Sequence, residues 1–214
     1  MGRVSVATTA TLAQLVDWLT RFRDAVTTNQ SYLTELDSAI GDADHGSNMT
    51  RGMNAVIDKL GEPTTVDALF KTVGMTLVST VGGASGPLYG TFFLRIGTTS
   101  GAVDSLDGAA LSAALRAGLA GVIQRGNAEI GDKTMVDALT PALDALDAAL
   151  AAGDDLAAAT RAAADAAAKG RDDTEPLVAR KGRASYLGER SAGHLDPGAT
   201  STALLFEALA EAVA

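Results

Sequence analysis

The sequence predicts a single all-α domain, and three observations lead to this prediction. Alanine, the strongest helix former, is abundant, and apolar residues make up 47% of the 214 residues. These apolar residues recur at helical spacing in segment after segment. We find no convincing strand, no internal repeat and no linker, so we assign residues 1–214 to one domain.

The first two predicted helices lead to a glycine at position 41. Thr9 is the expected cap of the first helix, and one apolar face of that helix consists of Leu12, Leu15, Val16, Leu19, Phe22 and Val26. The second helix is predicted over Ser31–Ile40. It ends at Gly41, because glycine commonly terminates helices.

The remaining helices follow the same pattern. Ser47 is the expected cap of a third helix that runs to about Leu60, and the next helix runs from Thr64 or Thr65 to about Val81. The later apolar stripes predict five more helices, over Leu88–Thr98, Leu106–Arg125, Thr134–Ala151, Leu156–Lys169 and Thr200–Val213.

The segments rich in glycine, charge or hydroxyl groups all fall between predicted helices. There are five of them: Gly41–Asn48, Gly82–Gly86, Gly126–Thr134, Arg180–Arg190 and Gly193–Ser201. If the helices alternate in direction, loops separated by an even number of helices lie at the same end of the bundle. We therefore expect several of these loops to converge on one site.

Charge and cysteine content exclude several classes of partner and site. The formal net charge is −9, and an acidic chain does not attract nucleic acid or an anionic membrane surface. The apolar runs are interrupted by charge before they reach membrane-spanning length. The absence of cysteine excludes disulfides and thiolate zinc sites. We expect a soluble cytoplasmic protein without nucleic-acid or membrane partners.

Three aspartates cluster around the junction between the second and third predicted helices. Asp37 lies in the last turn before Gly41, and Asp42 and Asp44 lie in the connection itself. Carboxylates this close repel each other unless a cation lies between them, and Mg²⁺ prefers oxygen ligands. The next helix begins near Ser47, where free backbone N–H groups form an anion site. The junction therefore predicts a site for Mg²⁺ and, through it, phosphate.

Turn or cap residues and an EF-hand are the two alternative interpretations of this junction. Each aspartate by itself is typical of a turn or a helix cap, although three of them beside His45 favour a metal site. An EF-hand is excluded, because Gly46 and Met53 stand where that loop needs oxygen ligands.

The segment Gly126–Thr134 is close to a Walker A motif but does not fit it. Asp132 separates the glycine from Lys133, and no strand precedes the segment. A nucleotide-contact loop is the alternative. Lys133 would then be an ion-pair partner or a phosphate contact, and Met135 would be an apolar surface for a base or a core residue.

Two further loops carry groups that suit phosphate. The Gly82–Pro87 loop offers unhindered N–H groups and the hydroxyl of Ser85. The segment Ala179–Ser191 brings four basic side chains into an acidic protein, namely Arg180, Lys181, Arg183 and Arg190. These side chains can neutralise phosphate, or they can form a solvated patch that pairs with surface carboxylates.

Five motifs, in this order and at these separations, resemble the nucleotide-binding L subunit of dihydroxyacetone kinase. The resemblance extends from about Trp18 to Thr202 and rests on GDADHGSNM, GGASGPLYGTFF, GDKTM, ARKGRASYLGERS and GHLDPGATS. It implies a barrel of antiparallel helices that binds ADP or ATP through two Mg²⁺ ions in the loops at one end.

The resemblance also implies a role for individual residues. Asp37, Asp42 and Asp44 would ligate the Mg²⁺ ions and, with Arg183, form the catalytic set. The phosphates would be lined by His45, Gly46, Ser47, Asn48, Ala84 and Ser85. The nucleotide would be contacted further out by Gly126, Met135 and Arg183, and the site would be closed by Asp196, Pro197 and Gly198.

The family implied by the resemblance has two branches. In one, a single long chain uses ATP. In the other, a separate L subunit keeps ADP bound and receives phosphate from a phosphohistidine protein of the phosphoenolpyruvate phosphotransferase system. That phosphate then passes to dihydroxyacetone, which a K subunit holds covalently on a histidine. His45 stands where the first branch commonly has cysteine, so His45 and the chain length favour the second branch.

Two alternatives remain open at this point. In the first, the chain is the nucleotide subunit of an ATP-dependent kinase or of a kinase for another small sugar. The sugar stays open because its pocket would lie mainly on the partner. In the second, the chain is a regulatory module, since in some relatives the ADP form of the L subunit also binds a transcriptional activator.

Overall fold

The computed structural model describes residues 8–214, so residues 1–7 of the predicted domain lie outside the described residues. Over this range the chain is mainly helical. The elements in order are β1 (Thr9–Thr11), α1 (Leu12–Thr28), α2 (Gln30–Ile40), α3 (His45–Leu60), α4 (Val66–Thr80), α5 (Ser85–Ser100), β2 (Ser105–Asp107), α6 (Gly108–Gly126), α7 (Val136–Ala152), α8 (Leu156–Asp172), a 3-10 segment (Arg183–Ser191) and α9 (Pro197–Val213).

Eight of the described helices close into a ring. Helix α1 packs on α3, and each helix from α3 to α8 packs on the one that follows it. Helix α9 returns to α1 and completes the barrel, while α2 lies against α3, α9 and the 3-10 segment. The predicted all-α single-domain fold is confirmed.

Aromatic side chains fill the barrel core. Trp18 packs edge-on against Phe70, whose ring stacks on Phe93 at a centroid distance of 5.9 Å. Phe92 packs edge-on against Phe93. The indole nitrogen of Trp18 donates to the backbone oxygen of Leu205 at 2.8 Å, so its polar atom has a partner inside the core. This bond fixes α1 against α9.

Helices α4 and α5 cross at two facing glycines. A Cβ at Gly74 would lie 2.8 Å from the backbone oxygen of Gly90, and a Cβ at Gly90 would lie 3.0 Å from that of Gly74. The absence of both side chains lets the two backbones approach closely. This contact holds the start of α5, and with it Ser85, in a fixed position beside α4.

The absence of strands was predicted wrongly. Thr9–Thr11 pairs antiparallel with Ser105–Asp107, and each strand has only three residues, which is too short for a period-two pattern to be recognised. Thr9 consequently lies in a strand and does not cap α1. Thr11 is the cap, since its hydroxyl accepts from the N–H of Gln14, whose side chain accepts from the N–H of Thr11.

Three helices at the predicted site begin two or three residues earlier than predicted. Helix α3 begins at His45, and Ser47 does not cap it, because the Ser47 hydroxyl donates to the backbone oxygen of Asp44 at 2.9 Å. Helix α5 begins at Ser85. Helix α9 begins at Pro197, a residue well suited to the first turn of a helix. Residues expected in loops therefore belong to first helical turns, which fixes their positions.

Four connections meet at one end of the barrel, between α2 and α3, α4 and α5, α6 and α7, and α8 and α9. Each of the four contributes residues to the same cavity, as the alternation of helix direction predicts. Among the described residues, no helix combines the length and apolar character needed to cross a membrane.

Candidate functional site

The three predicted aspartates come together at the α2–α3 connection. One carboxylate oxygen from each of Asp37, Asp42 and Asp44 lies within 4.8 Å of the other two. Asp37 is buried, and its Oδ2 atom accepts from the N–H groups of Asp44 at 2.8 Å and His45 at 3.0 Å. These bonds fix one oxygen of Asp37 to the turn and leave Oδ1 to face a ligand.

The turn itself is built around a glycine and a left-handed residue. Ala43 has a φ of 61°, which folds Asp42 and Asp44 back toward α2. A Cβ at Gly41 would overlap Oδ1 of Asp37. Glycine is therefore required at this position if Asp37 is to keep its orientation.

Within the described part of the chain, one basic side chain, Arg183, pairs with a member of the aspartate triad. Nε of Arg183 lies 2.9 Å from Oδ2 of Asp42, and both side chains remain partly exposed. The 3-10 segment that carries Arg183 is anchored by Ala184, which packs with Ile40 and Ala179 in a small apolar cluster. Arg183 is thus held at the rim, where it can contact an anion bound beside the aspartates.

The cavity at this end has two adjoining compartments. The first, of about 180 Å³, is lined by the three aspartates together with His45, Ser85 and Arg183, among others. The second, of about 250 Å³, is more apolar and is lined by Leu88, Val122, Gly126 and Met135. Together they reach the size of small-molecule sites, roughly 300 to 1,000 Å³. One end suits charged groups and a metal, and the other suits a flat apolar group.

His45 lies at the centre of a hydrogen-bonded chain of side chains. Its Nδ1 is 3.0 Å from Oγ of Ser85, and its Nε2 is 2.9 Å from Oγ of Ser201. Ser201 continues to the Tyr89 hydroxyl at 2.7 Å, which lies 3.2 Å from Oγ1 of Thr202. Burial lowers the pKa of His45 to about 4 despite the neighbouring aspartates. The ring is therefore neutral at physiological pH and serves as a fixed hydrogen-bonding group.

Asp196 closes the opposite side of the cavity and caps α9. Its Oδ2 accepts from the N–H of Ala199 at 2.7 Å. Burial raises the pKa of Asp196 to about 7, and Asp137 adds to this effect while Lys133 opposes it. A Cβ at Gly198 would lie 3.4 Å from the backbone nitrogen of Met135, so the start of α9 packs directly against the segment before α7.

Lys133 lines the first compartment, but its ammonium is occupied by backbone oxygens of the protein and does not form the predicted phosphate contact. The side chain is buried, with an exposed fraction of 1%. Its ammonium donates to four backbone oxygens, those of Thr174, Glu175, Leu177 and His194, at 2.6 to 3.3 Å. Neither the ion pair nor the phosphate contact considered from the sequence describes this arrangement. Sequence alone could not reveal it, because the acceptors are backbone groups.

The structure brings most of the predicted site residues to the first compartment. Its lining includes Asp37, Asp42, Asp44, His45, Ala84, Ser85, Met135, Arg183, Asp196, Pro197 and Gly198. Gly126 lines the second compartment. All of these residues come from the four connections at one end of the barrel.

Three predicted residues lie beside the cavity and do not line it. Gly46 faces α2, since a Cβ there would overlap the backbone oxygen of Gln30. Ser47 lines a separate open groove on α2. Asn48 is next to Gly82 and accepts from Arg51 at 2.5 Å. A phosphate contact through these residues stays a prediction that rests on the backbone N–H groups of the first turn of α3.

Tyr89 and Ser201 were not predicted, although the sequence holds a signal for each. Tyr89 follows Ser85 by four residues, so both lie on the same face of α5. Ser201 lies in the first turns of α9, within a motif whose other members were assigned. Their hydroxyl groups serve the site indirectly, through His45.

Comparison with known proteins identifies the family of the chain. The DAK2 domain model matches residues 39–211. The chain is 49% identical over 199 residues to the ADP-binding subunit DhaL of the PEP-dependent dihydroxyacetone kinase of Escherichia coli K12, covering 92% of this chain and 95% of that one. It is 45% identical over 206 residues to the corresponding PTS-dependent subunit of Lactococcus lactis, covering 95% of this chain and 99% of that one.

A solved structure has the same fold. The dihydroxyacetone kinase from C. freundii, in complex with AMP-PNP and Mg²⁺, superposes with a TM-score of 0.72 at 31% identity. The match covers 99% of this chain and 36% of that longer chain, so this chain corresponds to about a third of it. With the family model and the two subunits described above, this shows that the chain belongs to the DAK2 domain family and, within it, to the DhaL subunits.

Proposed function

We propose that the chain is the ADP-binding subunit of a dihydroxyacetone kinase that depends on the phosphoenolpyruvate phosphotransferase system. The observation that carries this proposal is the triad of Asp37, Asp42 and Asp44 beside a two-compartment cavity. Three carboxylates with free oxygens are a donor set that fits Mg²⁺. Two ions are proposed on the basis of the family resemblance.

The residues divide the work of phosphoryl transfer between them. The aspartates would hold Mg²⁺, which neutralises charge on the phosphate oxygens. Ser85, fixed by neutral His45, would hold a phosphate oxygen, and Arg183 would stabilise the charge that develops at the rim. Leu88, Gly126 and Met135 would receive the base in the apolar compartment.

We propose two protein partners for the open end of the cavity. A phosphohistidine protein would present its phosphoryl group to the β-phosphate of bound ADP. A K subunit would then present dihydroxyacetone, whose hydroxyl group accepts the phosphoryl group and restores ADP. The exposed position of Arg183 supports this view, since both partners need access from solvent. The acidic composition without cysteine fits a cytoplasmic setting.

Asp42→Ala tests the metal assignment. We expect the wild-type chain to retain ADP through purification and to show a Mg²⁺-dependent rise in Tm, and the variant should lose both properties. Glu35→Ala removes an exposed carboxylate from α2 outside the triad and should retain both properties. Full ADP retention by Asp42→Ala would contradict the assignment.

Reconstitution tests the phosphate donor and the acceptor. The purified chain is mixed with a K subunit and dihydroxyacetone, and either ATP or the phosphohistidine protein is supplied. Turnover with the phosphoprotein but not with stoichiometric free ATP supports the proposal. Turnover with ATP alone would assign the chain to the ATP-dependent kinases.

A further inference from the structure

Lys133 is the buried charged residue whose role the proposed chemistry leaves unexplained. It follows Asp132 in the connection between α6 and α7, and its backbone is left-handed, with a φ of 64°. A left-handed conformation is costly for a residue with a Cβ, so the position is held by its surroundings. Those surroundings are the four backbone oxygens that accept from its ammonium.

The four oxygens come from two segments that are distant from Lys133 in sequence. Thr174, Glu175 and Leu177 follow α8, and His194 precedes α9. These oxygens form a cage around one ammonium, at the same end of the barrel as the cavity. A buried ammonium is expensive unless its donors are satisfied, and here its N–H groups all find acceptors.

The connection that carries Lys133 and the segment that carries His194 each continue directly into a wall of the nucleotide cavity. Two residues beyond Lys133 stands Met135, and two residues beyond His194 stands Asp196. The wall that carries Arg183 joins the same loop, because the N–H of Arg180 donates to the backbone oxygen of Asp132 at 3.0 Å. Three walls of the cavity are therefore linked through one short loop.

Charge around the ammonium also points to a role in holding these walls. Burial lowers the pKa of Lys133, and the nearby carboxylates of Asp196, Glu175 and Asp137 oppose this shift by favouring the charged form. Both oxygens of Asp137 are already used, by the N–H groups of Gly131 and Thr134. Lys133 thus places a positive charge near the Asp137 carboxylate, which is already hydrogen-bonded to the loop.

We propose that Lys133 is a positioning residue for the nucleotide, and that its ammonium fastens the segments 174–177 and 193–196 to the α6–α7 connection. It does so without contact to the metal-binding aspartates, which are carried by α2 and its connection to α3. This inference rests on the proposed function. It predicts that nucleotide binding and metal binding respond differently when the ammonium is removed.

Lys133→Met tests this role, because methionine keeps an unbranched side chain but has no donor. We expect ADP to dissociate about ten times faster or more from the Mg²⁺-loaded variant, which at an unchanged association rate corresponds to at least about 1.4 kcal/mol of lost affinity. Mn²⁺ alone serves as a probe of the three aspartates, and its binding is followed by electron paramagnetic resonance. The Kd of the variant for Mn²⁺ should stay within about twofold of the wild-type value.

Ile96→Ala is the matched control for a general loss of stability. Ile96 is fully buried on α5, three turns from Ser85, and lines neither compartment. At a comparable fall in Tm, this variant should keep the wild-type rate of ADP dissociation. Equal acceleration in both variants, or unchanged ADP dissociation in Lys133→Met, would overturn the inference.

Hydrogen exchange on the wild-type chain provides a test that does not require the variant to fold. The N–H groups of Arg180 and Gly193 should become protected together when Mg²⁺–ADP binds, because both belong to the fastened walls. Independent exchange of the two would contradict the proposal. If the wild type binds no Mg²⁺–ADP at all, the proposed function fails. Hydrogen exchange of the same two N–H groups in the protein without nucleotide then still tests whether Lys133 holds the two segments together, because the groups should exchange at correlated rates.

Discussion

At the scale of single residues, the site depends on atoms that hold the functional groups in place. Asp37 is oriented by two backbone N–H groups, and His45 by two hydroxyl groups. In both cases the supporting bonds leave little freedom to the side chain, so the arrangement exists before a ligand arrives. Such preorganisation lowers the cost of binding and of charge stabilisation.

Gly41→Ala should weaken the metal site although all three aspartates are retained. The new Cβ would overlap Oδ1 of Asp37 and force that side chain away from Asp42 and Asp44. We expect Mg²⁺ affinity to fall by about tenfold or more, measured by calorimetry. Ser38→Ala, an exposed change on the same helix, should leave the affinity unchanged.

Ser201→Ala should destabilise the protein by leaving Nε2 of the buried His45 without a partner, while the Tyr89 hydroxyl keeps only its longer bond to Thr202. An unsatisfied buried polar group costs about 1–3 kcal/mol. Thr140→Val is the control, since the buried Thr140 hydroxyl has no partner among the described residues and its loss should cost little. Denaturant unfolding measures both, and equal losses would contradict the importance of the hydrogen-bonded chain.

At the scale of elements, sequence periodicity predicted the helices well and their first turns poorly. Helices α3, α5 and α9 begin earlier than predicted because the residues before their apolar stripes are polar or glycine and serve the site. His45, Ser85 and Pro197 gain helical geometry from the neighbouring connections, which the local pattern does not encode. The aspartate triad was predictable because its members are close in sequence. The Lys133 cage was not, since its acceptors are backbone oxygens from distant segments.

Gly90→Ala should separate α4 from α5. Its Cβ would overlap Cγ2 of Val78 and lie 3.0 Å from the backbone oxygen of Gly74. Overpacking of this kind costs about 1–3 kcal/mol of unfolding free energy. Met75→Ala, an exposed change on α4, should shift it by no more than about 0.5 kcal/mol. A shift for Gly90→Ala as small as this would show that the two helices can move apart freely.

At the scale of the whole molecule, two buried titratable groups affect stability in opposite directions. The folded-state pKa of Asp196 is raised to about 7, so the folded protein binds more protons than the unfolded one between about pH 4 and 7. Stability from this group falls as the pH rises through that range. The pKa of His45 is lowered to about 4, so its contribution falls as the pH decreases from about 6.5 to 4.

Asp196→Asn separates these two effects in the protein without nucleotide. Relative to wild type, the variant should become more stable as the pH is raised from 5 to 8, because it no longer ionises a buried carboxyl group. The relative change should amount to a few kcal/mol at most, about 1.4 kcal/mol for each unit of pKa difference. Unfolding in urea at several pH values measures it. A difference between the two proteins that does not vary with pH would contradict a raised pKa for Asp196.

The closing of the barrel by α9 has a consequence for how the protein persists once folded. Groups that line the cavity begin at Asp37 and end at Gly198, so no shorter stretch of chain can assemble them, and a ligand held by all of them would bind only the folded protein. Ligand that binds the folded state alone stabilises it in proportion to the logarithm of its concentration over Kd. A retained nucleotide would therefore stabilise the whole fold against unfolding, and its loss would make the chain more susceptible to proteases.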